Sequence, residues 1–404
     1  MLAALMMLLL PASLAAGPLP SGVVPSEAVR AALVETADVI DHVLLDESGR
    51  ARGDYDWQRG RWSEYEVAWH TGQAIEALLV AHAITGDQRY LDRARRAGDW
   101  WVSLEIRDGP LAGMVNAAHG DRLGSLINFT TVGNGTPGLF RLSRVSGDSR
   151  YADTAARAIV WLARNTAVPG QPGLYYNIID PMTGAVWRDR TPHRETRAPA
   201  ITEVARPNIE GSPFLDACEH LGADWLCRTH DALARHTAAR QDANGLWMRF
   251  EPNNAADGTV HPRFNSWNAE AMLRAWRRTG DQRLLAASIA TARANQRLIA
   301  ADGAFDYDQS LAGPRRATSP TGSATAFAGL LWLGLREAGH TEFDASIHAA
   351  ARWLIANRYP LDHPDPQVRG LVVERRIKGG RVIQRDLGTI FAVRFFAAYL
   401  KAFP

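Results

Sequence analysis

Apolar residues recur along this chain mostly with the 3.6-residue period of an α-helix. Residues 68–84 are rich in alanine, leucine, isoleucine and valine and contain no proline, and residues 88–104 carry apolar side chains at helical spacing. Strand-like alternation is limited to short segments such as 372–374 and 381–384. The pattern therefore predicts an all-α protein.

The break between the first two helical stretches is a turn that the chain repeats. Residues 85–94, TGDQRYLDRA, return as 146–155, SGDSRYADTA, and again as 279–285, TGDQRLL. Weaker copies begin at Leu221 and Ala338. Glycine suits the left-handed position just beyond a helix end, and aspartate caps the helix that follows. Each copy therefore predicts the tight turn of a helical hairpin.

Extended along the chain, this pattern predicts twelve helices. One opens the domain at 25–45 and one closes it at 386–402. Repetition of one supersecondary unit is typical of arrays, and pairing of the two terminal helices would complete six hairpins in a ring. We therefore predict an (α/α)6 toroid that forms a single domain over residues 25–404. The five internal hairpins are expected at 65–104, 132–165, 208–240, 266–299 and 320–357.

The N-terminal residues 1–15 have the character of a signal peptide. An apolar run over residues 1–10 is broken by Pro11 and followed by small residues. The run is too short to span a bilayer as a helix. We therefore expect a periplasmic or secreted protein without a membrane span.

Composition narrows the range of partners. The chain has 404 residues, of which 46% are hydrophobic, and a formal net charge of +2. This charge provides no strong field for nucleic acid, and we expect no nucleic-acid partner. No Cys/His cluster has the spacing of a zinc site, so neither a metal nor a cofactor is expected. The sequence leaves the oligomeric state open.

The two cysteines flank one of the predicted turns. Cys218 and Cys227 lie on either side of Gly222, so a hairpin places them opposite each other. A disulfide is geometrically feasible there, and an oxidising compartment would allow it. Two buried free thiols are the alternative.

The connections between the predicted hairpins are much longer than the turns within them, and a closed ring collects them on one face. Long loops in compact domains usually carry function. Each long connection in this chain leads into the start of an inner helix. These helix starts are rich in tryptophan, asparagine, glutamate, histidine or arginine. Indole faces stack on sugars, and guanidinium groups pair with carboxylates, so these residue types favour a site for an acidic saccharide. The predicted substrate-binding residues are Trp69, His70, Asn128, Tyr176, Arg206, Asn208, Arg263, Trp267, Asn268, Arg385 and Asp386.

Several of these residues have an alternative role in packing or capping. Trp69 and Trp267 are also suited to the inner wall of the ring, His70 to a buried structural position, and Asp386 to the cap of the last helix.

Several segments of the chain resemble the six-hairpin glycosidase-like proteins. Residues 69–74 and the turn at 85–87 look like the first inner helix of that family, residues 264–270 lie where it has a tryptophan-rich helix start, and residues 318–326 are similar to its threonine- and serine-rich helix. The closest layouts are those of unsaturated glucuronyl and rhamnogalacturonyl hydrolases. The resemblance covers most of residues 60–340 and implies hydrolysis of a glycosidic bond.

The chain departs from that family at two catalytic positions. The family has a catalytic aspartate at the start of the helix that corresponds to 208–221, where this chain has Asn208 and Glu210. A second family aspartate belongs near the start of the helix predicted at 132–145. In this chain, His119 and Asp121 lie upstream of that position. The same toroid is also used by polysaccharide lyases, N-acylglucosamine epimerases and uronyl epimerases.

Two kinds of chemistry fit these residues. Hydrolysis needs a carboxylic acid at the leaving oxygen and a carboxylate that activates water, and Glu210 with Glu66, Asp121 or Asp386 would serve. A lyase or epimerase needs a base that removes the proton next to a uronate carboxylate and a cation that holds the developing charge. Histidines and tyrosines of the long loops, with an arginine, would supply these groups.

We expect a carbohydrate-active enzyme that hydrolyses a glycosidic bond in a uronate-containing poly- or oligosaccharide. A polysaccharide lyase or a sugar epimerase is the first alternative, and a non-catalytic glycan-binding toroid is the second. The predicted catalytic residues are Glu210, Glu66, His119 and Asp121.

Overall fold

The protein is described by a computed structural model over residues 22–118, 126–188, 205–313, 319–378 and 380–404. These residues form twelve helices in the predicted places, with a π-helical turn Ile40–Leu44 after the first and a one-turn helix Phe129–Gly133 before the fourth. The helices are α1 Ser26–Val39, α2 Val67–Thr85, α3 Gln88–Ser103, α4 Thr136–Ser146, α5 Ser149–Asn165, α6 Pro213–Leu221, α7 Asp224–Ala238, α8 Pro262–Thr279, α9 Gln282–Leu298, α10 Gly322–Glu337, α11 Asp344–Ala356 and α12 Leu387–Ala402.

The helices close into a ring of two layers. The inner helices α2, α10 and α12 are apolar on most sides, whereas the outer helices α3 and α5 have one apolar face. The last helix packs against α2 and α10 in the inner layer, and α1 packs on its outer side. The terminal helices therefore form the sixth hairpin, and the predicted (α/α)6 toroid is confirmed.

The repeated turn has the predicted conformation. In its three full copies the glycine lies just beyond a helix end with φ between +71° and +76°. The next aspartate accepts the backbone N–H two residues on, at 2.9–3.1 Å, and so satisfies an amide at the start of the following helix. The glycines are Gly86, Gly147 and Gly280, and the aspartates are Asp87, Asp148 and Asp281.

The long connections carry short antiparallel strands. The alternation at 381–384 predicted one of them, the strand Arg381–Arg385, whereas most of the others contain only two residues and leave no pattern in the sequence. The largest sheet has the order β11–β12–β1–β2 and contains Arg375–Lys378, Arg381–Arg385, Asp54–Asp56 and Arg61–Ser63. The two-stranded sheets pair β3 Ile127–Asn128 with β5 Ile178–Ile179, β4 Tyr175–Tyr176 with β6 Ala205–Arg206, β7 Thr259–Val260 with β9 Gln309–Ser310, and β8 Phe305–Asp306 with β10 Pro320–Thr321.

Cys218 and Cys227 form a disulfide that joins α6 to α7, with their Cα atoms 5.3 Å apart. None of the helices in the described ranges has the length and apolar character that crossing a membrane requires. The first fifteen residues, assigned above to a signal peptide, lie outside the described residues.

Replacing both cysteines by serine is expected to lower the free energy of unfolding by about 2–3 kcal/mol, because the bridge closes a short loop and restricts the unfolded chain. Urea denaturation of the variant and of the reduced wild-type protein measures this effect, and the two midpoints should coincide. Equal stability of the oxidised and reduced wild-type proteins would contradict the prediction.

Candidate active site at the long-loop end of the ring

Two tryptophans from inner helices form the floor of the site. The ring centroids of Trp69 on α2 and Trp267 on α8 are 5.9 Å apart. The Trp267 ring also contacts the rings of Phe327, at 4.8 Å, and Phe391, at 5.7 Å. Trp69 and Trp267 are 4% and 3% exposed. They therefore combine a packing role on the side of the ring axis with a narrow accessible surface toward the long loops.

Arg385, at the end of β12, organises one wall of the site. Its Nε donates to Asp54 Oδ1 at 2.8 Å and its Nη1 to the Tyr307 hydroxyl at 3.0 Å. Its Nη2 lies 3.1 Å from His70 Nε2 and 3.5 Å from Glu66 Oε2. The side chain is only 1% exposed. Arg385 thus holds four groups from three segments of the chain together instead of facing solvent, since Glu66 and His70 both belong to the start of α2.

His70 and Asp386 lie behind this arginine. Because the Arg385 guanidinium donates to His70 Nε2, the imidazole carries its proton on Nδ1, 2.7 Å from Asp386 Oδ1. This contact is at ion-pair distance without the alignment of a hydrogen bond. His70, Asp386 and Asn268 are all fully buried. All three side chains are sealed from solvent in this structure, and their contact with substrate stays a prediction.

The same region contains a cluster with the composition of a metal site. Asp54, His70 and Asp386 place ligand atoms within 4.8 Å of one another. However, Asp54 and His70 both accept hydrogen bonds from Arg385. The guanidinium therefore supplies the positive charge that a cation would bring to these ligands.

Arg263, on α8, is held from behind by two residues of other segments. Its Nη1 donates to Ser323 Oγ at 2.9 Å and lies 3.5 Å from Glu374 Oε1. Both the backbone N–H and the hydroxyl of Ser323 donate to Glu374 at 2.7 Å. Burial raises the pKa of Glu374, although Arg263 acts in the opposite direction. Arg263 lies over the Trp69 ring at 5.1 Å, and its Nε and Nη2 make no hydrogen bond to the described residues.

Glu210 lies on the other side of the floor and is 4% exposed. It accepts a hydrogen bond from Arg206 Nη2, and Arg206 also donates to the Glu251 carbonyl at 3.2 Å. The Arg206 guanidinium stacks over Phe264 at 4.7 Å. The next residue, Gly211, borders Trp267, since a Cβ at Gly211 would lie 3.8 Å from the indole.

Backbone strain coincides with the two predicted catalytic glutamates. In the described part of the chain, three non-glycine residues have positive φ: Glu66 at +51°, Asn208 at +52° and Ser212 at +54°. The first is a predicted catalytic residue, and the other two flank Glu210. Such conformations cost about 1–3 kcal/mol each and concentrate at functional sites.

His261 at the start of α8 is a site residue that sequence reasoning missed. Its Nδ1 accepts the Phe264 N–H at 3.3 Å, so its proton is on Nε2, and its ring lies 4.9 Å from that of Tyr307. Burial lowers the pKa of His261 well below its ordinary value, and surrounding guanidinium groups act in the same direction. These groups belong to Arg263, Arg385, Arg376 and Arg206.

This neutral histidine predicts a dependence of stability on pH. Below pH 6.5 the unfolded chain binds a proton at His261 that the folded protein does not, so stability falls by about 1.4 kcal/mol per pH unit down to about pH 5. His230, whose pKa burial lowers to about 3, contributes a slope of the same sign. His348, whose pKa burial also lowers, adds to it. His261→Gln should therefore reduce the total slope by about 1.4 kcal/mol per pH unit, whereas the exposed control His42→Gln should leave it unchanged. Denaturation series at several pH values provide the measurement, and an unaltered slope in His261→Gln would contradict a neutral imidazole.

Of the remaining predicted residues, three are bonded or packed within the protein and two lie outside the described residues. Asn128 caps the one-turn helix by accepting the Thr130 N–H at 2.8 Å, and Asn208 accepts the Thr130 hydroxyl at 3.1 Å. Tyr176 is buried in β4, with 7% of its surface exposed. His119 and Asp121 lie outside the described residues, so their predicted catalytic role stays a prediction.

Comparison with protein-family models and with curated proteins finds no match. Solved structures match over nearly the whole chain. A cellobiose 2-epimerase from Bacillus thermoamylovorans has a TM-score of 0.69 at 11% identity, over 91% of this chain and 98% of its own. An unsaturated glucuronyl hydrolase specific for heparin has 0.65 at 12%, over 93% and 96%, and a D-mannose isomerase has 0.63 at 11%, over 93% and 98%. The likeness shows the fold, and it confirms the predicted resemblance to six-hairpin toroid enzymes at that level.

Proposed function

We propose that the protein is a carbohydrate-active enzyme that hydrolyses a glycosidic bond in a uronate-containing poly- or oligosaccharide. The observation that carries this proposal is the placement of strained backbone at Glu66 and around Glu210, beside the two tryptophans of the floor. Two carboxyl groups from different inner-helix starts are the minimum that acid and base catalysis of hydrolysis requires. Glu210 acts on the Trp267 side of the bound sugar and Glu66 on the Trp69 side.

The arginines support the proposal that the sugar is acidic. Four guanidinium groups surround His261; those of Arg263 and Arg385 lie over the Trp69 ring, and that of Arg206 lies over Phe264. Arg263 is the residue best suited to bind a substrate carboxylate, because its Nη1 is anchored by Ser323 while its Nε and Nη2 form an open fork. The indole beneath it would stack on the same sugar ring.

The histidines favour hydrolysis over proton abstraction. A neutral imidazole has one nitrogen that can accept a proton. In His70 that nitrogen accepts from Arg385, and in His261 it accepts from the Phe264 N–H. Of the described histidines that border the site, neither therefore has a lone pair directed at a substrate, and the proton transfers are assigned to the carboxyl groups of Glu66 and Glu210.

A lyase or epimerase is the second candidate, and one observation favours it. The Tyr307 hydroxyl accepts from Arg385 at 3.0 Å, and the Tyr307 ring contacts His261. A tyrosine beside a guanidinium group can remove the proton next to a uronate carboxylate. Three of the similar solved structures are named as epimerases, two cellobiose 2-epimerases and a sugar epimerase.

We also propose that the protein works in the periplasm or outside the cell. Residues 1–15 support this location by their resemblance to a signal peptide. The Cys218–Cys227 disulfide supports it as well, because such bonds persist in oxidising compartments.

Incubation with a panel of uronate-containing oligosaccharides tests the proposed reaction. New reducing ends without new ultraviolet absorbance from an unsaturated uronate are expected for hydrolysis of saturated substrates. A gain in that absorbance would identify a lyase, and deuterium incorporation from solvent without cleavage would identify an epimerase. Binding without turnover of any panel member would overturn the proposal and leave a glycan-binding toroid.

A further inference from the structure

The four-stranded sheet that supplies Arg385 has one face that packs against the protein and one that continues the site. Directly opposed residues of neighbouring strands share a face, and so do alternate residues along a strand. The packed face contains Tyr55 and Trp62, which are paired in register. The other face contains Asp54 and Arg385, which are also paired.

The packed face is held by an aromatic cluster. The Tyr55 ring lies 5.2 Å from that of Trp62 and 5.7 Å from that of Trp57, and Trp57 lies 5.7 Å from Tyr359. Trp62 Nε1 donates to Gln367 at 2.6 Å. These contacts fix the sheet against the 359–367 segment, so its opposite face is a rigid surface.

The opposite face leads outward from the site in three rows. The innermost row holds Asp54 and Arg385. The second row lies one side-chain repeat, or about 7 Å, further along the strands. It contains Arg61, Asp56, Ile383 and Arg376, which are paired in register across the four strands. Arg381 lies in the third row.

The outer rows form a cationic strip, which we define as Arg61, Arg376 and Arg381. Among the described residues, these two rows contain one carboxylate, that of Asp56. It accepts a hydrogen bond from Arg381. Arg381 nevertheless keeps 37% of its side-chain surface exposed, and Arg61 is exposed as well. Arg376 lies over the Tyr307 ring at 5.2 Å and so connects the strip to the site.

We propose that the cationic strip is a second subsite, which binds the anionic group of a neighbouring sugar unit in the same chain. The inference rests on the proposed function for the position of the first sugar, on the tryptophan floor. Guanidinium groups suit both carboxylate and sulfate oxygens, because their N–H groups are arranged as a fork. The preferred substrate is therefore an oligosaccharide with acidic groups on successive units, and a single acidic sugar occupies the inner site alone.

Binding of short and long probes by the full chain tests the strip. Arg61→Ser removes an exposed guanidinium group without touching the inner site, and Arg228→Ser, on the exposed face of α7, is the matched control. The probes are galacturonic acid, its hexamer, a heparin-derived hexasaccharide and inorganic polyphosphate, titrated calorimetrically at low and high salt. Arg61→Ser is expected to weaken binding of the long saccharides by about fivefold at low salt, the upper range for an exposed ion pair, and to leave binding of galacturonic acid unchanged.

The outcomes separate the two sources of anionic groups. A loss with both long saccharides assigns the strip to carboxylates, and a loss confined to the heparin fragment assigns it to sulfates. An equal loss for galacturonic acid and its hexamer, no loss in Arg61→Ser, or an equal loss with polyphosphate would overturn the second subsite. Turnover of the same saccharides, measured in parallel, tests the proposed function separately: absence of turnover overturns that function, while the difference in binding between lengths still decides the strip.

Discussion

Replacing Glu210 by glutamine is expected to lower kcat on a uronate-containing substrate by about 10²–10⁴-fold, the range for a lost general acid or base. Glutamine keeps the shape of the side chain and an oxygen that accepts the hydrogen bond from Arg206. It cannot exchange a proton with the leaving oxygen. The loss should therefore appear in turnover measured at a temperature where the variant is fully folded, and the thermal midpoint of unfolding should fall as well, because Arg206 loses its buried countercharge.

Glu219→Gln is the matched control for this variant, because Glu219 is exposed near the C-terminal end of α6, the helix that follows Glu210. It should retain wild-type turnover. Glu66→Gln should show a loss of the same order as Glu210→Gln if the two carboxyl groups act as a pair. Near-normal turnover in Glu210→Gln would contradict the catalytic role proposed for that residue.

Replacing Arg385 by methionine is expected to lower the free energy of unfolding by about 3–5 kcal/mol, the range for breaking a buried ion pair. Asp54 would lose its closest cation, and Tyr307 and His70 would lose a donor in a site that water scarcely reaches. Methionine fills much of the same volume, so the loss reports the missing charge and hydrogen bonds. Activity should fall as well, because Glu66 and Tyr307 would no longer be held in place.

Denaturant unfolding of Arg385→Met, with Arg228→Met as the exposed control, measures this effect. Arg385→Lys should lie between the wild-type protein and the methionine variant, since one ammonium group cannot reach acceptors in several directions. A change below about 1 kcal/mol in Arg385→Met, as expected for an exposed pair, would contradict the organising role of this arginine.

The parts of the site that could be predicted share one property: they lie at the start of an inner helix. Glu66, Trp69, Glu210, Arg263 and Trp267 belong to this group, because the repeat locates each helix and therefore its beginning. His261 also occupies such a position, immediately before Pro262, and its place as the helix cap was the signal that could have revealed it.

The residues that were missed come from long loops and short strands. Asp54 reaches the site through β1, Glu374 through the segment before β11, and Tyr307 through the turn between β8 and β9. Segments of two or three residues are too short to show a periodicity, and their partners are far away in sequence. Glu374 contacts Ser323, 51 positions earlier, and Asp54 contacts Arg385, 331 positions later.

By itself, the sequence determined the helices, their turns and the end of the ring at which polar residues gather, because helix periodicity and capping are local properties. Only the tertiary structure decided which of those residues are sealed from solvent and which distant residues they bind. His70, Asp386 and Asn268 have the composition of a sugar site but are sealed from solvent, while Arg263 is anchored on one side and open on the other. That distinction depends on burial and on hydrogen bonds between distant segments, and it arises only when the ring closes.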